Sequence, residues 1–154
     1  MLQPEQLQCV PIFASLERAQ LAQLVALATE ERYGVGHHIF AEGDRGTKLY
    51  LLLDGRVRIS KFIPGIGEEA LAILNAGSYF GEMALIDQSP RSAHAIAHSD
   101  VVLGAIESSA FEQLLFVNRD LAYDVLWNFV RTLSARLRET NDKIKSFFAM
   151  SGGF

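Results

Sequence analysis

The sequence predicts an α+β fold: an antiparallel β-roll or jelly-roll barrel flanked by an N-terminal helix and a long C-terminal helix. Three observations predict it. Short apolar bursts separated by Gly-rich turns fill positions 33 to 106. Apolar residues at helical spacing precede them, and the stretch 118–148 that follows contains neither Gly nor Pro. The 154 residues are 49% hydrophobic and 21% charged, which suits one packed domain and argues against disorder. The expected division is a helical segment over 1–30, a β-barrel over 31–107 and C-terminal helices over 108–150, all in a single domain over 1–154.

The elements follow in order. Leu21, Leu24, Val25 and Ala28 recur at helical spacing, with Pro11 and Ser15 punctuating the entry. Ile39 and Phe40 precede the turn-rich Glu42-Gly43-Asp44-Arg45-Gly46, and 49–53 is an apolar run of strand length. Asp54-Gly55 separates that run from the alternating Val57, Ile59 and Lys61. Such a pair predicts a hairpin, with positive φ at both central residues. Pro64-Gly65 is another turn, and strands are expected over 70–74, 93–97 and 101–106. Ser109 and Glu112 have capping-box spacing ahead of a helix.

Several classes of function find no support. The net charge of −4 argues against broad attraction to nucleic acid or membrane. Cys9 is the only cysteine, so no internal disulfide forms. It has no activating neighbour and reads as buried filler. The first residues lack a signal-peptide pattern, and no apolar run reaches the ~20 residues of a membrane helix. A cytoplasmic location is expected. His94 and His98 stand roughly 13 Å apart on a strand, too far to share a metal. His37-His38 point to opposite faces if extended. Gly65-Ile66-Gly67-Glu68-Glu69-Ala70 matches a dinucleotide fingerprint but lacks the following helix, and reads as a hairpin loop. Arg131, Arg136, Arg138, Lys143 and Lys145 read as a solvated face, with Glu139 and Asp142 interleaved.

The stretch from Phe80 to Ala93 carries the chemistry. Gly81 lets backbone approach a ligand. Glu82 opens one helical turn, whose free N–H groups would face an anion. Pro90 turns the chain, and the Arg91 guanidinium matches a phosphate. Each charge-assisted bond contributes roughly 1.5–3 kcal/mol. A carboxylate beside a phosphate repels it, unless it accepts from a sugar hydroxyl of the same ligand. The residues therefore call for a ligand holding both groups, with an ordinary surface Glu–Arg pair as the alternative.

Phe80-Gly81-Glu82, Ala84-Leu85, Pro90-Arg91 and Ala93 resemble the phosphate-binding cassette of the cyclic nucleotide-binding domain family. Phe40-Ala41-Glu42-Gly43-Asp44, the run from Leu49 to Val57, and Pro11-Ile12-Phe13 with Leu16 extend the resemblance over about 8–148. It implies that Glu82 accepts from the ribose 2′-hydroxyl and Arg91 binds the cyclic phosphate. Backbone amides of Met83, Ala84, Ser92 and Ala93 would assist, and Leu74 and Phe80 would line the base and sugar. The same resemblance implies that Ser92 after the arginine favours cAMP over cGMP.

Leu126, Val130, Leu133, Leu137, Thr140, Ile144 and Phe147 step alternately by four and three, an a/d seam. A helix of about 30 residues spans about 45 Å, more than a small barrel covers. A parallel homodimer through 118–148 is expected, with Phe129 and Trp127 packing on the chain's own barrel. The segment from Ala135 to Lys143 resembles the corresponding helix of bacterial cAMP receptor proteins. That implies that Thr140 and Asn141 hold adenine, one from each subunit, although Asn141 departs from the usual Ser. The alternative is a tolerated polar position at Thr140 that fixes dimer register.

The expectation is a non-enzymatic sensor with no metal, no membrane contact and no nucleic-acid contact of its own. It would relay cyclic nucleotide binding through its last helix to an unidentified protein. No metal cluster or placed general base supports an enzyme such as a phosphodiesterase. Two readings stay open beside it: the sensor half of a cAMP-dependent transcription regulator without its DNA-binding domain, and a docking module whose pocket is unused or otherwise occupied.

Overall fold

The computed structural model describes residues 2–152, except for the side chains of 83–85. Helix α1 (Pro4–Gln8), a 3-10 turn (Pro11–Phe13) and α2 (Arg18–Leu27) come first. Strands β1 (Ala28–Tyr33), β2 (His38–Phe40), β3 (Lys48–Asp54), β4 (Arg56–Ile63), β5 (Gly67–Asn75) and β6 (Tyr79–Phe80) follow. Helix α3 (Glu82–Asp87) leads to β7 (His94–Ala97) and β8 (Val101–Glu107). Helices α4 (Ser108–Val117) and α5 (Arg119–Met150) close the chain. The strands build two antiparallel sheets of order β1-β8-β3-β6 and β2-β7-β4-β5, the α+β roll that the sequence predicts.

The run 49–53 serves two cores, because successive side chains on a strand point to opposite faces. Leu49 and Leu51 join Leu7, Phe13, Leu24, Ile106, Phe111, Leu121, Val125 and Phe129 beneath the helices. Tyr50 and Leu52 join Val57, Phe80, Ala95, Ala97 and Leu103 between the sheets. Each fully buried Leu or Phe contributes roughly 1.5–3 kcal/mol. Helix α5 enters the first core through Leu121, Val125 and Phe129, four residues apart, and Asn118 caps it by accepting the Leu121 N–H at 3.1 Å.

Asp54-Gly55 is not a hairpin. β3 pairs with β8 and β6, while β4 pairs with β5 and β7. The pair is a corner where the chain passes from one sheet to the other. Gly55 alone of the two has positive φ (87°), and a Cβ there would stand 2.2 Å from the Asp100 carbonyl oxygen. The hairpin is β4–β5, where Ile63 pairs with Gly67 across Pro64-Gly65-Ile66 and the Ile66 N–H donates to Ile63 O at 3.0 Å. The fingerprint-like glycines are thus a turn, as expected.

Three other expectations are corrected. The cap of α4 is Glu107, and Ser109 lies inside the first turn, so the Ser109–Glu112 box does not form. Cys9 is exposed at the end of α1, with Sγ 3.6 Å from Glu5 O, because the apolar side of this turn is filled by Leu7 and Val10. Trp127 is exposed on α5, because it lies off the buried 121-125-129 stripe. Strand β1 is one that the sequence reading passed over. It is an edge strand paired only with β8, so Glu30, Glu31 and Arg32 remain tolerable there.

Candidate functional site

Tyr79 and Phe80 form a two-residue strand beside β3, and Gly81 then turns the chain into α3. Gly81 has φ 81°, and a Cβ would stand 2.7 Å from Arg91 Nη1 and 3.0 Å from Lys48 O. A side chain is excluded by both conformation and space. Glu82 starts α3. Gln88, with φ 56°, ends it in the left-handed region, and Pro90 brings Arg91 back.

Arg91 is 6% exposed. Nη1 donates to Gly81 O (2.9 Å) and Nη2 to Lys48 O (2.8 Å). The guanidinium lies over the Phe40 ring at 4.2 Å, with Tyr50 at 5.9 Å. Gly46 packs against it so closely that a Cβ would stand 1.8 Å from Nε. Among the described residues, Arg91 forms no ion pair and Nε has no hydrogen-bond partner. Burial pushes its proton affinity below the ordinary arginine range. A buried cation held by two carbonyl dipoles and aromatic faces is costly unless an anion joins it.

Glu82 is also 6% exposed, yet its partner is not Arg91. Its Oε1 accepts from Arg136 Nη1 at 2.7 Å, and Arg136 Nη2 donates to Tyr79 O at 2.8 Å. The Arg136 guanidinium sits 4.7 Å above the Tyr79 ring. Glu82 and Arg91 border one cavity of about 210 Å³. Phe40, Ile59, Ala72, Leu74 and Phe80 make its apolar wall, and Gly81, Pro90, Ser92, Ala93 and Arg136 complete it. An anion-seeking cation, a carboxylate and an apolar wall in one cleft suit a ligand with a phosphate, a hydroxyl and a flat apolar part. The surface-pair alternative fails, because the two side chains are buried and not bonded to each other.

Phe80, Gly81, Glu82, Arg91, Ser92 and Ala93 therefore meet around one cavity. Met83 and Ala84 lie in α3, but their side chains are outside the described residues. Thr140 and Asn141 do not line the cavity. Both are exposed on α5, and Thr140 Oγ1 donates back to Arg136 O at 2.9 Å. Sequence reasoning missed Arg136 by grouping it with the solvated basic residues. The signal was available: the buried stripe Leu121, Val125, Phe129 continues by three and four to Thr132 and Arg136. Among the described residues, no group of three or more His, Cys, Asp or Glu is placed to hold a metal. No described helix is long and apolar enough to cross a membrane.

Residues 30–118 match the profile of the family described as "Cyclic nucleotide-binding domain". The chain is 36% identical to the cyclic AMP receptor protein of Thermus thermophilus over 85% of its own length and 59% of that protein's. It is 29% identical to a CRP-like cAMP-activated global transcriptional regulator of Mycobacterium tuberculosis over 86% and 58%. The chain thus spans about three fifths of these relatives. A crystal structure of a cyclic nucleotide-binding domain from Methylobacillus flagellatus superposes with TM-score 0.81 at 30% identity, covering 92% of this chain and 80% of that one. The Thermus thermophilus catabolite activator protein gives TM-score 0.77 at 34% identity, over 89% and 62%.

Proposed function

The chain belongs to the cyclic nucleotide-binding domain family, and from that premise we propose that it is a sensor whose cavity takes cAMP in preference to cGMP. Arg91 carries the reading. It is a buried cation with no carboxylate partner among the described residues, in the same cavity as a buried glutamate. Its guanidinium takes the cyclic phosphate, assisted by backbone amides of Met83, Ala84, Ser92 and Ala93. Glu82 accepts from the ribose 2′-hydroxyl. Phe80 and Leu74 flank the base and sugar.

Arg136 ties this site to α5. It holds the Glu82 carboxylate, so a ribose hydroxyl arriving there must share or replace that contact. The position of α5 then depends on occupancy, which is the output of the sensor. Two copies joined along α5 would bring Thr140 of one subunit and Asn141 of the other over the base. The exposed Leu126, Val130, Leu137, Ile144 and Phe147 support that pairing. Relatives named as transcriptional regulators and as cAMP-dependent protein kinase regulatory subunits support a regulatory role over an enzymatic one. The relative named as a transcriptional regulator also favours a second reading, the sensor part of a transcription regulator.

Calorimetry with cAMP and cGMP tests the site. cAMP is expected to bind more tightly, and Arg91→Ala to weaken it about 100-fold, the worth of one or two charge-assisted bonds. No heat with either nucleotide, or heat indifferent to Arg91, overturns the reading and leaves a docking module.

A further inference from the structure

A loop covers the Arg91 side of the cavity, and a histidine holds the start of that loop. Residues 41–47 connect β2 to β3. The Gly43 N–H donates to Arg91 O at 2.8 Å, and the Arg91 N–H donates to Asp44 O at 2.8 Å. Gly46 closes over the guanidinium, as described. Asp44 Oδ2 accepts the Ala41 N–H at 2.9 Å and folds the loop on itself. At its start, the Glu42 N–H donates to Nδ1 of His94, the first residue of β7, at 3.0 Å.

We propose that His94 is a positioning residue for Arg91, and that protonating it loosens the loop and weakens the ligand. The second half of this proposal rests on the reading of the cavity as a cyclic nucleotide site. Nδ1 accepts a hydrogen bond only while it carries no proton, so the bound ring is the neutral Nε2–H tautomer. A further proton goes to Nδ1. Two N–H groups then face each other, and the loop loses the bond at its start while its two backbone bonds to Arg91 remain. Imidazoles generally change charge between about pH 5 and 8. The phosphodiester of a cyclic nucleotide keeps its single charge across that range.

Other charged groups flank His94. His38 on β2 stands edge-on to it at 5.7 Å between ring centres. Glu42 and Asp44 lie in the loop, and the Glu42 carboxylate is 3.6 Å from Lys61 Nζ on β4. β4 pairs with β7 at Ser60 and His94, and carries Arg58, which binds Glu68 of β5. The remaining histidines are engaged elsewhere. His98 Nδ1 meets Arg58 Nη1 at 3.0 Å, and His37 Nδ1 meets Gly34 O at 3.0 Å. None of these three contacts the loop backbone through a hydrogen bond among the described residues, so His94→Gln isolates the effect. The glutamine keeps an acceptor and cannot take the proton.

Nitrogen-15 NMR of the ligand-free protein, titrated from about pH 8 to 5.5, reads the fastening directly. The amides of Glu42, Gly43 and Arg91 are expected to shift in step with the His94 ring. Calorimetry with cAMP over the same range is expected to show a two- to tenfold loss of affinity, the size of one hydrogen bond. His94→Gln flattens both profiles. Loop amides that ignore the His94 titration, or an affinity profile that persists in His94→Gln, overturn the proposal. Absence of heat at every pH sinks the nucleotide reading instead, while the amide titration still decides whether His94 positions Arg91.

Discussion

Helix α5 is one continuous element with two opposite halves. Up to Arg136 it is part of the barrel. Leu121, Val125 and Phe129 are buried, Asn128 Nδ2 donates to Ile12 O at 2.8 Å, and Arg136 reaches Glu82. From Leu137 to Gly152 every residue is exposed, and Lys143 Nζ to Leu71 O, 3.3 Å, is the sole hydrogen bond to a strand among the described residues. Leu137 is 61% and Phe147 67% exposed, on the stripe that the heptad spacing picks out. The difference teaches that a helix's apolar residues need not share a destination. The 121-125-129 row stabilises the subunit's own core, and the 137-144-147 row lies outside it.

The most severe way to probe this contrast is a pair of phenylalanines. Phe129→Ala should cost about 3–5 kcal/mol by equilibrium denaturation, because it empties a core site beside Tyr79 and Phe111. Phe147→Ala should change the stability of the isolated subunit by less than about 0.5 kcal/mol. Comparable losses from the two would erase the distinction. A milder intervention targets the proposed seam. Leu137→Glu should weaken self-association about 30-fold in sedimentation equilibrium, the effect of one ~2 kcal/mol interface residue. A chain that sediments as a monomer before and after the substitution would leave the outer stripe to some other partner.

The smallest effect concerns Tyr79, which joins the inner half of α5 to the cavity. Its hydroxyl is buried and finds no hydrogen-bond partner among the described residues. Burial raises its pKa above the ordinary tyrosine value of 10.0. A raised folded pKa means that the stability is intact below about pH 10. It is lost as pH climbs through the folded value, since the unfolded chain ionises first. Tyr79→Phe should change stability near pH 7 by no more than about 0.5 kcal/mol. It should also shallow the alkaline decline seen in denaturation midpoints above pH 10. A steep decline left intact would assign that decline to Tyr33 and Tyr50, whose pKa values burial also raises.

Much of the site was legible because its chemistry sits in a short stretch. Gly81, Glu82, Pro90 and Arg91 act through positions a few residues apart, where sequence spacing and spatial spacing nearly coincide. The long helix was legible for a similar reason, since its apolar periods are local. What failed was whatever depended on distant neighbours. Asp54-Gly55 has the residues of a tight turn, but a turn does not say which strand lies beyond it. Strand β1 has few apolar residues because it needs only β8. Arg136 carries a charge that reads as solvated, whereas its guanidinium lies over Tyr79 and reaches a buried carboxylate.

The junction at Arg136 also has a mechanical side. Residues 137–150 form a rod about 21 Å long at 1.5 Å per residue. Pivoting that rod by about 10° moves its far end by roughly 4 Å. A rearrangement too small to disturb the barrel's packing is thereby magnified at the tip into a displacement as wide as an atom, and the gain is set by nothing more than the length of the lever.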